Sequence, residues 1–596
     1  MRTRMVDYLI DRIYDAGAHH VFFVPGTGCM FLTDALARKK ELVDVSVHHE
    51  QAAGMAALTY AKLNETLGAC VVTTGCGGTN AVTACLNAWQ DNVPCVFISG
   101  QAARNQTVRN APVPLRQMGR QEADIIAIVE SITKYAVMIN DPLETAYEID
   151  KALYEAQNGR KGPVWIDVPM DIQNSIIDTD SMRHFIPEDK DTLDLSDEDK
   201  KFLISELRKA ERPVILAGNG IRLAGAVDDF VCFINKTQIP VTYTRLGHDL
   251  IDADNPMHIG MVGMLGASRA GNFAVANADL VISLGTRLAI DTTSYEYDKF
   301  ARGAKLIVID IDEVEHKKGT VRIDKFIKAD AKKAISALMK ENFSLNIDAW
   351  REKCTHWKIT YPVCEEQYKH GDLINMYYFT DALSDVLPDN AVVMSDAGNT
   401  FFTVSPVVRV KKSKGQRSIV SGAQAEMGYA LPGAIGASYV TDGPVIPITG
   451  DGSVMMNIQE LETMSFLHRN IKLCVMNNNG YSSIRQLQNN AFRGRLIGCD
   501  PSNGCSFPDF EAIAKAFRLK YVKIEGSENL QVKIKEMLTI EGPVLCEVMC
   551  VTEQPFLGVS TGKNSKGRIV NRPIEDQAPF LDRDVFNKEM IVEPLD

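Results

Sequence analysis

The stretch that decides the fold is Gly450-Asp451-Gly452-Ser453, which Asn477-Asn478 follow at the end of the next predicted strand. Asp451 and Asn478 lie 27 positions apart, and that distance accommodates a loop, a helix over 459–468 and a strand over 471–476. Both ends of such a unit lie at the carboxyl edge of a parallel sheet, where α/β proteins bind their ligands. The sequence therefore predicts an α/β fold with a ligand site at this edge.

The side chains at this edge suggest what the ligand is. A carboxylate and an amide oxygen suit a hard octahedral cation, and Mg²⁺ commonly takes one or two carboxylates together with substrate phosphate oxygens. Gly450 and Gly452 allow backbone N–H groups to approach a phosphate closely. The pattern indicates a Mg²⁺ and phosphate site, although a tight turn followed by a helix C-cap would give the same residues.

GDGS followed by NN at this spacing resembles the diphosphate-anchoring motif of thiamine diphosphate (ThDP) enzymes. The resemblance implies that Asp451 and Asn478 are the side-chain ligands of Mg²⁺, with the backbone carbonyl of Gly480 as a third ligand.

A second motif supports the resemblance. Residues 47–57, VHHEQAAGMAA, predict a strand end that runs into an Ala-rich helix. A glutamate at such a junction is usually a solvated residue favoured by the helix dipole. In ThDP enzymes this glutamate activates the cofactor by bonding its aminopyrimidine, a task that needs a carboxyl group in an apolar pocket. We assign that role to Glu50.

Composition and charge exclude several classes of protein. A chain of 596 residues is too long to fold around a single hydrophobic core. Its composition, with 45% hydrophobic and 23% charged residues, is ordinary for a globular protein. The net charge of −12 argues against a general nucleic-acid binder. No apolar run approaches the roughly 18 residues of a membrane span, so we expect neither nucleic acid nor membrane as a partner. The charged N-terminus does not resemble a signal peptide, and 13 cysteines without a CxxC pair suit the cytoplasm.

Three regions alternate helices with short apolar strands, which predicts three doubly wound parallel-sheet domains. They are an N-terminal domain over 1–180, a central domain over 190–345 and a C-terminal domain over 365–550, followed by a tail over 551–596 that we place near the active site. A polar linker is predicted over 187–201 and a charged connector over 342–370. The predicted strands are 20–24, 44–48, 69–73, 95–99, 164–168, 213–217, 240–243, 280–284, 305–310, 391–395, 445–449, 471–476 and 544–548.

The resemblance covers nearly all of residues 1–550 and is strongest to the acetohydroxyacid synthase (acetolactate synthase) branch. The stretches that carry it include PGTGCMFLTDAL (25–36), TGCGGTNAVTACLNAWQDNVPCVFISGQ (74–101), GPVWIDVPMDIQ (162–173) and AEMGYALPGAIGAS (425–438). It implies a pyrimidine-binding domain, a central domain and a diphosphate-binding domain. It also implies that the cofactor lies between Glu50 of one chain and the metal ligands of another. A homodimer is therefore the expected minimum, and a homotetramer is plausible.

Further roles follow by matched position. Gln121 would face the substrate, or would be a plain surface-loop residue. Met427 would hold the cofactor in its bent shape, or would be an ordinary core residue. His49 and Arg120 would orient substrates, although His49 also fits a structural donor and Arg120 a solvated surface residue. Other cofactor contacts are implied for Gly26, Thr27, Gly75, Asn80, Asp396, Gly398, Asn399, Gln424, Gly450, Gly452, Ser453 and Tyr481.

The departures from the branch concern the substrate. Leu487 occupies the place of a tryptophan that selects the second 2-oxo acid, Arg120 replaces a phenylalanine, and Cys76 replaces a proline. An arginine in an active site suits a carboxylate or a phosphate. The segment 285–291, GTRLAID, departs from the corresponding segment of the FAD-carrying synthases. The sequence therefore favours a protein without FAD over one that binds it. The tail has a basic cluster over 562–568 that fits either a phosphorylated acceptor or a solvated loop.

These observations predict a transferase or lyase that uses ThDP and Mg²⁺. The expected reaction is decarboxylation of a 2-oxo acid, with pyruvate favoured, and transfer of the acyl unit to an acceptor carbonyl. The tail resembles acetolactate-synthase-like proteins of surface-polysaccharide biosynthesis, which points to a keto-sugar nucleotide as acceptor. Simple decarboxylation and C–C bond cleavage are alternatives that share the cofactor activation. A non-catalytic homologue is the remaining alternative, although Glu50, Asp451 and Asn478 are all present.

Overall fold

The computed structural model describes residues 2–188, 192–342, 344–559, 561–563 and 568–595. Within this part of the chain, three six-stranded parallel sheets lie one after another along the sequence. Helices connect the strands of each sheet, as parallel pairing requires. The predicted fold class, three doubly wound parallel-sheet domains, is confirmed.

The first sheet has the strand order Val43–Ser46, His20–Phe23, Gly68–Val72, Cys95–Gln101, Pro163–Pro169 and Tyr135–Met138. Its helices are Met5–Asp15, Met30–Arg38, Glu50–Asn64, Cys76–Asn80, Val82–Gln90, Ile125–Val129, Thr145–Gln157 and Met170–Gln173. The N-terminal strand Arg2–Arg4 pairs antiparallel with Ile176–Asp178.

The central sheet has the order His258–Met261, Val241–Tyr243, Pro213–Ala217, Leu280–Leu284, Lys305–Asp310 and Lys325–Lys328. Its helices are Asp197–Lys209, Gly220–Leu223, Val227–Thr237, Arg269–Asn277, Ile290–Thr293, Ala331–Met339 and Asp348–Thr360. Two segments predicted as connections are partly helical. Asp197–Lys209 begins inside the predicted linker, capped by Ser196, whose hydroxyl accepts the Asp199 N–H at 3.0 Å. Asp348–Thr360 buries Trp350 and Trp357 in the central core.

The third sheet has the order Arg417–Val420, Val392–Ser395, Val445–Gly450, Lys472–Asn477, Val544–Met549 and Lys520–Ile524. Its helices are Met376–Val386, Gly398–Val404, Ala430–Ala437, Glu460–Leu467, Ser482–Phe492, Phe510–Ala516 and Leu530–Thr539. The predicted strand–loop–helix–strand unit around Asp451 is present, with its helix at Glu460–Leu467 and its second strand at Lys472–Asn477.

The first and third sheets share one hydrophobic core, which contains Phe97 and Trp165 from the first and Val392 and Leu473 from the third. Helix Glu50–Asn64 lies against helix Ala430–Ala437 at the centre of this core. A Cβ atom at Gly436 would lie 2.1 Å from the Ala56 carbonyl oxygen, so the two backbones touch. This contact brings the start of helix Glu50–Asn64 close to the loops of the third sheet.

The tail is more ordered than its sequence indicates. Strands Thr561–Lys563 and Ile569–Asn571 form a hairpin, and helix Arg583–Glu589 follows. Ile574 and Phe586 are buried in the core of the central domain. Residues 564–567 of the predicted basic cluster lie outside the described residues. No helix in the described ranges is both long enough and apolar enough to cross a bilayer.

Candidate active site

Glu50 is the first residue of its helix, and the preceding residues fix where that helix begins. His49 has extended backbone angles, and its Nδ1 atom accepts the Gln51 N–H at 3.1 Å, which makes it the helix N-cap. The Glu50 carboxylate accepts a hydrogen bond from the Asn80 side-chain amide at 2.9 Å. A Cβ atom at Gly77 would lie 3.3 Å from the other carboxylate oxygen. His49 thus accepts a hydrogen bond as a helix cap rather than donating one, and its substrate role stays a prediction.

The loops that surround Glu50 approach one another closely. Gly75 has a φ of +65°, and a Cβ atom there would lie 1.9 Å from the Gln121 carbonyl oxygen. A Cβ atom at Gly26 would lie 2.5 Å from Thr73. Only glycine fits at either position. The structure therefore packs the Gly75 loop against Gln121 and Gly26 against Thr73, and it bonds Asn80 to Glu50, while the cofactor contacts assigned to these residues stay predictions.

Several residues singled out from the sequence lie on the surface of the single chain. Thr27, Arg120 and Gln121 are exposed, and so is Cys76. Leu487, which stands where the related branch has a tryptophan, has 57% of its surface exposed. The substrate roles of Arg120 and Gln121 stay predictions.

Asp451 lies at the carboxyl end of strand Val445–Gly450, and three backbone donors orient its carboxylate. Oδ2 accepts the N–H groups of Gly480 at 3.0 Å and Asn478 at 3.2 Å, and Oδ1 accepts that of Gly452 at 2.7 Å. Burial raises the pKa of Asp451 to about 6, against the opposing effect of these bonds. A Cβ atom at Gly452 would lie 2.2 Å from the Tyr481 ring, so the GDGS loop lies directly against Tyr481.

Asp396 is fully buried next to the GDGS loop, and several groups donate hydrogen bonds to its carboxylate. Its Oδ2 atom accepts the hydroxyls of Ser453 at 2.7 Å and Thr449 at 2.8 Å, and its Oδ1 atom accepts the Ala397 N–H at 2.7 Å. Burial raises the pKa of Asp396, while these hydrogen bonds act in the opposite direction. The Asp396 carboxylate therefore holds the GDGS loop in place through Ser453 and Thr449. Direct contact of Asp396 with a cofactor stays a prediction.

The Asn399 side chain is a candidate ligand contact. Both polar atoms of its side-chain amide are buried, and neither has a hydrogen-bond partner among the described residues. Such an amide is costly unless something bonds it. The preceding Gly398 has a φ of +59°, and a Cβ atom there would meet only the Ser483 hydroxyl, at 3.6 Å. Space is therefore open beside Gly398, while the Asn399 amide is buried without a partner among the described residues, and its contact with a diphosphate stays a prediction.

The last two predicted cofactor residues lie on the loop before helix Ala430–Ala437. The Gln424 side-chain amide donates to Gln90 of the first domain at 2.6 Å. Met427 is half-buried. Gly428 donates its N–H to the Ser453 hydroxyl at 2.9 Å, which ties this loop to the GDGS loop. The cofactor contacts assigned to Gln424 and Met427 stay predictions.

The donor set around Asp451 fits Mg²⁺. The Asp451 carboxylate and the Asn478 amide lie at one sheet edge, and the Asn478 side chain has no protein hydrogen bond within the described part of the chain. No group of three or more His, Cys, Asp or Glu side chains suited to a metal occurs among those residues. A site built from one carboxylate, one amide and a carbonyl leaves room for phosphate oxygens, which is the coordination Mg²⁺ prefers.

Glu50 and Asn80 form one cluster, and Asp451, Asn478 and Gly480 form another. We call them the Glu50 cluster and the Asp451 cluster. In the described ranges, no hydrogen bond or ion pair connects Glu50 with the 450–453 or 478–481 loops. Large apolar side chains beside the Asp451 cluster are exposed, among them Met456 and Leu487. Exposed apolar surface of this kind is typical of a protein interface.

A second cavity lies at the carboxyl edge of the central sheet. Its volume is about 1170 Å³, including space open to solvent, and its lining includes Asn219, Gly285, Asp310 and Lys161. This edge is where doubly wound sheets bind nucleotides. The Gly218–Gly220 turn lies at this edge, and such a glycine pair by itself also fits an ordinary turn.

Sequence reasoning missed side chains that support the site from a distance. Asn457 donates to the side chain of Gln51 at 3.0 Å, and Glu460 accepts the His48 N–H at 3.0 Å. Both contacts reach the residues beside Glu50 from the third domain. The available signal was a polar residue, Glu460, at the start of an otherwise buried helix.

Known protein families account for this arrangement. Three family models match the chain: the thiamine pyrophosphate enzyme N-terminal TPP binding domain over residues 3–128, the central domain over 201–338 and the C-terminal TPP binding domain over 396–548. Thiamine pyrophosphate is another name for ThDP. The fold and the two clusters thus define the class of ThDP-dependent enzymes.

Similarity to characterised proteins narrows the class. The chain is 31% identical to the acetolactate synthase large subunit of Lactococcus lactis subsp. lactis (strain IL1403), over 91% of each chain. It is 30% identical to the acetolactate synthase large subunit of Cyanidium caldarium over 94% of this chain and 95% of that protein. It is 31% identical to acetolactate synthase 1, chloroplastic, of Oryza sativa subsp. japonica, over 92% of this chain and 85% of that protein. The chain belongs to the acetolactate-synthase-like family of ThDP-dependent enzymes, which confirms the resemblance read from the motifs.

Proposed function

We propose that the chain binds ThDP and Mg²⁺ and decarboxylates a 2-oxo acid, with pyruvate as the donor, before transferring the acyl unit to an acceptor carbonyl. The observation that carries the proposal is the pair of clusters at Glu50 and Asp451. One presents a carboxylate among tightly packed glycine loops, and the other presents a carboxylate oriented by three backbone N–H groups. The relatives are acetolactate synthases by name, which favours carboligation over the alternatives.

Each cluster has a separate task. Asp451, Asn478 and the Gly480 carbonyl would hold Mg²⁺, and Asn399 would bond the diphosphate. When bound, ThDP supplies the electron sink that decarboxylation needs. Glu50 holds and moves the proton at the aminopyrimidine, while Asn80 keeps its carboxylate in place. Gln121 and Arg120 would orient the substrates at the mouth of the pocket.

We infer that the acceptor is a keto-sugar nucleotide. Leu487 leaves space where the related branch has a tryptophan, and an arginine at position 120 suits a phosphate or carboxylate group. Simple decarboxylation and C–C cleavage use the same two clusters, and no separate observation favours either. Loss of Glu50, Asp451 or Asn478 would have favoured a non-catalytic role, and all three are present.

We also propose a homodimer in which Glu50 of one chain faces Asp451 of the other. Support comes from the absence of a bond between the two clusters within the described part of one chain, and from the exposed apolar side chains beside Asp451. A dimer would cover this apolar surface, which is otherwise a liability in water.

For the central cavity, the departure of residues 285–291 from the FAD-carrying synthases favours a protein without FAD, even though the volume admits a nucleotide. The absorbance of the purified protein near 450 nm checks this directly. A flavin spectrum in the supernatant after heat denaturation would contradict it.

The proposed function is tested by CO₂ release from pyruvate with protein saturated in ThDP and Mg²⁺, and by mass spectrometry of the products. We expect CO₂ release that increases when a keto-sugar nucleotide is added, with a new branched sugar nucleotide as product. Acetolactate or acetaldehyde as the sole product would reject the sugar acceptor. No release under either condition would reject pyruvate as donor.

A further inference from the structure

The turn that carries Glu50 is held by the third domain of the same chain. Glu460 is the first residue of helix Glu460–Leu467, which follows the GDGS loop, and its side chain has no exposed surface. Its Oε1 atom accepts the backbone N–H of His48 at 3.0 Å. Its Oε2 atom accepts the Thr463 hydroxyl at 2.6 Å. Both carboxylate oxygens are therefore committed.

Further hydrogen bonds connect the residues around Glu50 to the third domain. The Thr463 hydroxyl also lies 3.0 Å from Nδ1 of His48, so Glu460, Thr463 and His48 form a closed triangle. On the other side of Glu50, the Asn457 amide donates to Gln51 Oε1 at 3.0 Å and to the Gly428 carbonyl at 2.9 Å. The residues on both sides of Glu50 are thus bonded to one short segment, 457–463.

The packing of this helix does not by itself require a buried carboxylate at position 460. Burying a carboxylate costs free energy that an apolar side chain of similar size would avoid. Burial raises the pKa of Glu460, against the opposing effects of Thr463 and the His48 N–H. The helix already packs through Leu461 and Met464, which are fully buried. What the carboxylate adds is a fixed position for the His48 N–H, two residues before Glu50.

We propose that Glu460 is a positioning residue for Glu50: by accepting the His48 N–H it sets where helix Glu50–Asn64 begins and hence where the Glu50 carboxylate lies. The proposal rests on the activating role of Glu50 given under the proposed function. Glu460 touches neither substrate nor cofactor and acts through the backbone of the turn. A small displacement of an activating group is enough to lower a rate by about 100-fold.

The test uses Glu460→Leu, which removes the acceptor without opening a cavity, and Glu460→Gln, which keeps an acceptor oxygen for His48. Glu462→Gln is the matched control, because Glu462 lies on the same helix and bonds Arg518 at the surface. Three quantities are measured: kcat and KM, the rate at which bound ThDP exchanges its C2 proton for deuterium, and backbone amide exchange of residues 47–51 in cofactor-free protein.

We expect Glu460→Leu to slow both C2 proton exchange and kcat by about 10- to 100-fold, with KM and ThDP affinity within about twofold of wild type. Amide exchange of residues 47–51 should be faster in this variant, while Glu460→Gln recovers most of both rates and Glu462→Gln matches wild type. A wild-type C2 exchange rate in Glu460→Leu would overturn the proposal. A purely structural role would instead lower stability without a selective change in C2 exchange.

Two further measurements keep the outcome unambiguous. Should Glu460→Leu fail to fold, Glu460→Ala takes its place, because it also removes the acceptor of the His48 N–H. A wild-type C2 exchange rate in Glu460→Ala then overturns the proposal. Glu50→Ala is measured alongside: rapid C2 exchange in that variant rejects the role of Glu50 itself. Slow exchange in Glu50→Ala with rapid exchange in Glu460→Leu rejects only the positioning by Glu460.

Discussion

Glu50 and Asp451 are both carboxylates at the start of a loop or helix, yet the protein holds them in opposite ways. Glu50 accepts one side-chain hydrogen bond, from Asn80, and keeps its remaining lone pairs available. Asp451 accepts three backbone N–H groups and is nearly buried. The first arrangement suits the proposed activating role of Glu50, and the second suits the proposed metal-ligand role of Asp451.

The first residue-scale prediction concerns Glu50. Glu50→Ala should abolish turnover, by about 100-fold or more, because no other carboxyl replaces it at the Asn80 amide. Binding of ThDP should remain largely intact, since the Asp451 cluster is untouched. Steady-state kinetics and fluorescence titration with ThDP measure the two effects. Full activity in the variant would rule out the assigned mechanism.

The second residue-scale prediction concerns a buried carboxyl next to the pocket. Asp167 accepts the Ser99 hydroxyl at 2.6 Å and the Gln101 amide at 3.0 Å, and Gln101 also holds the Ala123 carbonyl of the loop that carries Gln121. Burial raises the pKa of Asp167 to about 7, while the bonds from Ser99 and Gln101 act against it.

Because the folded pKa of Asp167 lies above its unfolded value of 3.8, the folded state binds more protons between these values. This contribution to stability is lost as the pH rises toward about 7, by up to ~1.4 kcal/mol per pH unit. The melting temperature should therefore fall less steeply between pH 5 and 8 for Asp167→Asn than for wild type. Asp442→Asn, at an exposed position, is the control, and equal slopes in all three proteins would contradict the prediction.

Residue-scale sequence reasoning found the two clusters because their motifs are local. GDGS and the NN pair lie within one strand–helix–strand unit, and Glu50 lies within one strand–helix junction. The supporting residues were not predictable in this way. Glu460 and His48 are 412 positions apart, and no local pattern links them. Their contact exists only because the first and third domains share a core.

At the scale of elements, the strands that sequence periodicity missed have one property in common. Every missed strand of the three large sheets lies at a sheet edge: Tyr135–Met138, His258–Met261, Lys325–Lys328, Arg417–Val420 and Lys520–Ile524. Central parallel strands are buried on both faces and have continuous apolar sequences. Three of the missed edge strands, KFIK, RSIV and KYVKI, carry charges that discourage pairing with other chains, so their pattern resembles a loop. The other two, YAVM and HIGM, carry no charged side chain and are only four residues long, which leaves little pattern to detect.

The contact between helices Glu50–Asn64 and Ala430–Ala437 gives an element-scale prediction. Gly436→Ala should destabilise the protein by about 1–3 kcal/mol, because the added methyl would meet the Ala56 carbonyl of a rigid backbone. Gly433→Ala is the matched control on the same helix. Its added methyl would meet side-chain atoms, chiefly the flexible end of Met394 and the Thr59 hydroxyl, and no backbone atom would lie as close. Thermal unfolding compares them, and a larger loss in Gly433→Ala would refute the argument.

The tail helix gives a second prediction. Glu589 accepts hydrogen bonds from His356, Lys353, Trp357 and Tyr361 of the central domain. Burial alone would raise the pKa of Glu589, but the bonds from His356, Lys353 and Trp357 lower it to about 2. This stabilisation is present above the unfolded value of 4.5 and is lost as the pH falls toward 2.

Glu589→Gln should therefore loosen the tail helix at neutral pH, at a cost of about 1 kcal/mol, because it removes the charged acceptor of the buried Trp357 N–H and of the part-exposed Lys353 and His356 side chains. Limited proteolysis should cut the tail of the variant faster than that of wild type. Glu593→Gln, at an exposed position, should behave as wild type. Equal proteolysis rates in all three proteins would show that Glu589 does not anchor the helix.

At the scale of the whole molecule, the first and third domains of one chain form a continuous structure, and in the proposed homodimer each chain would supply half of each site. The first and third domains share a core, and their two clusters remain unconnected within the described residues of one chain. Two-fold symmetry would place the Glu50 cluster of each chain opposite the Asp451 cluster of its partner.

This arrangement predicts complementation between two inactive variants. Glu50→Ala and Asp451→Ala chains should each be inactive alone, whereas mixed dimers should contain one intact site. Unfolding and refolding the two chains together should restore about a quarter of wild-type activity, if the chains pair at random. Refolded single variants are the controls. No recovery, with mixed dimers confirmed by mass spectrometry, would reject a site shared between chains.

The burial of Ile574 and Phe586 in the central core has a consequence for how the protein is made. A ribosome delivers the central sheet long before it delivers these two side chains, and domains tend to fold as they emerge. The nascent central domain must therefore wait, with an apolar face uncovered, until the diphosphate-binding domain has been synthesised as well. During that interval the growing chain is exposed to aggregation, and it would depend on a chaperone or on rapid synthesis to reach the native state.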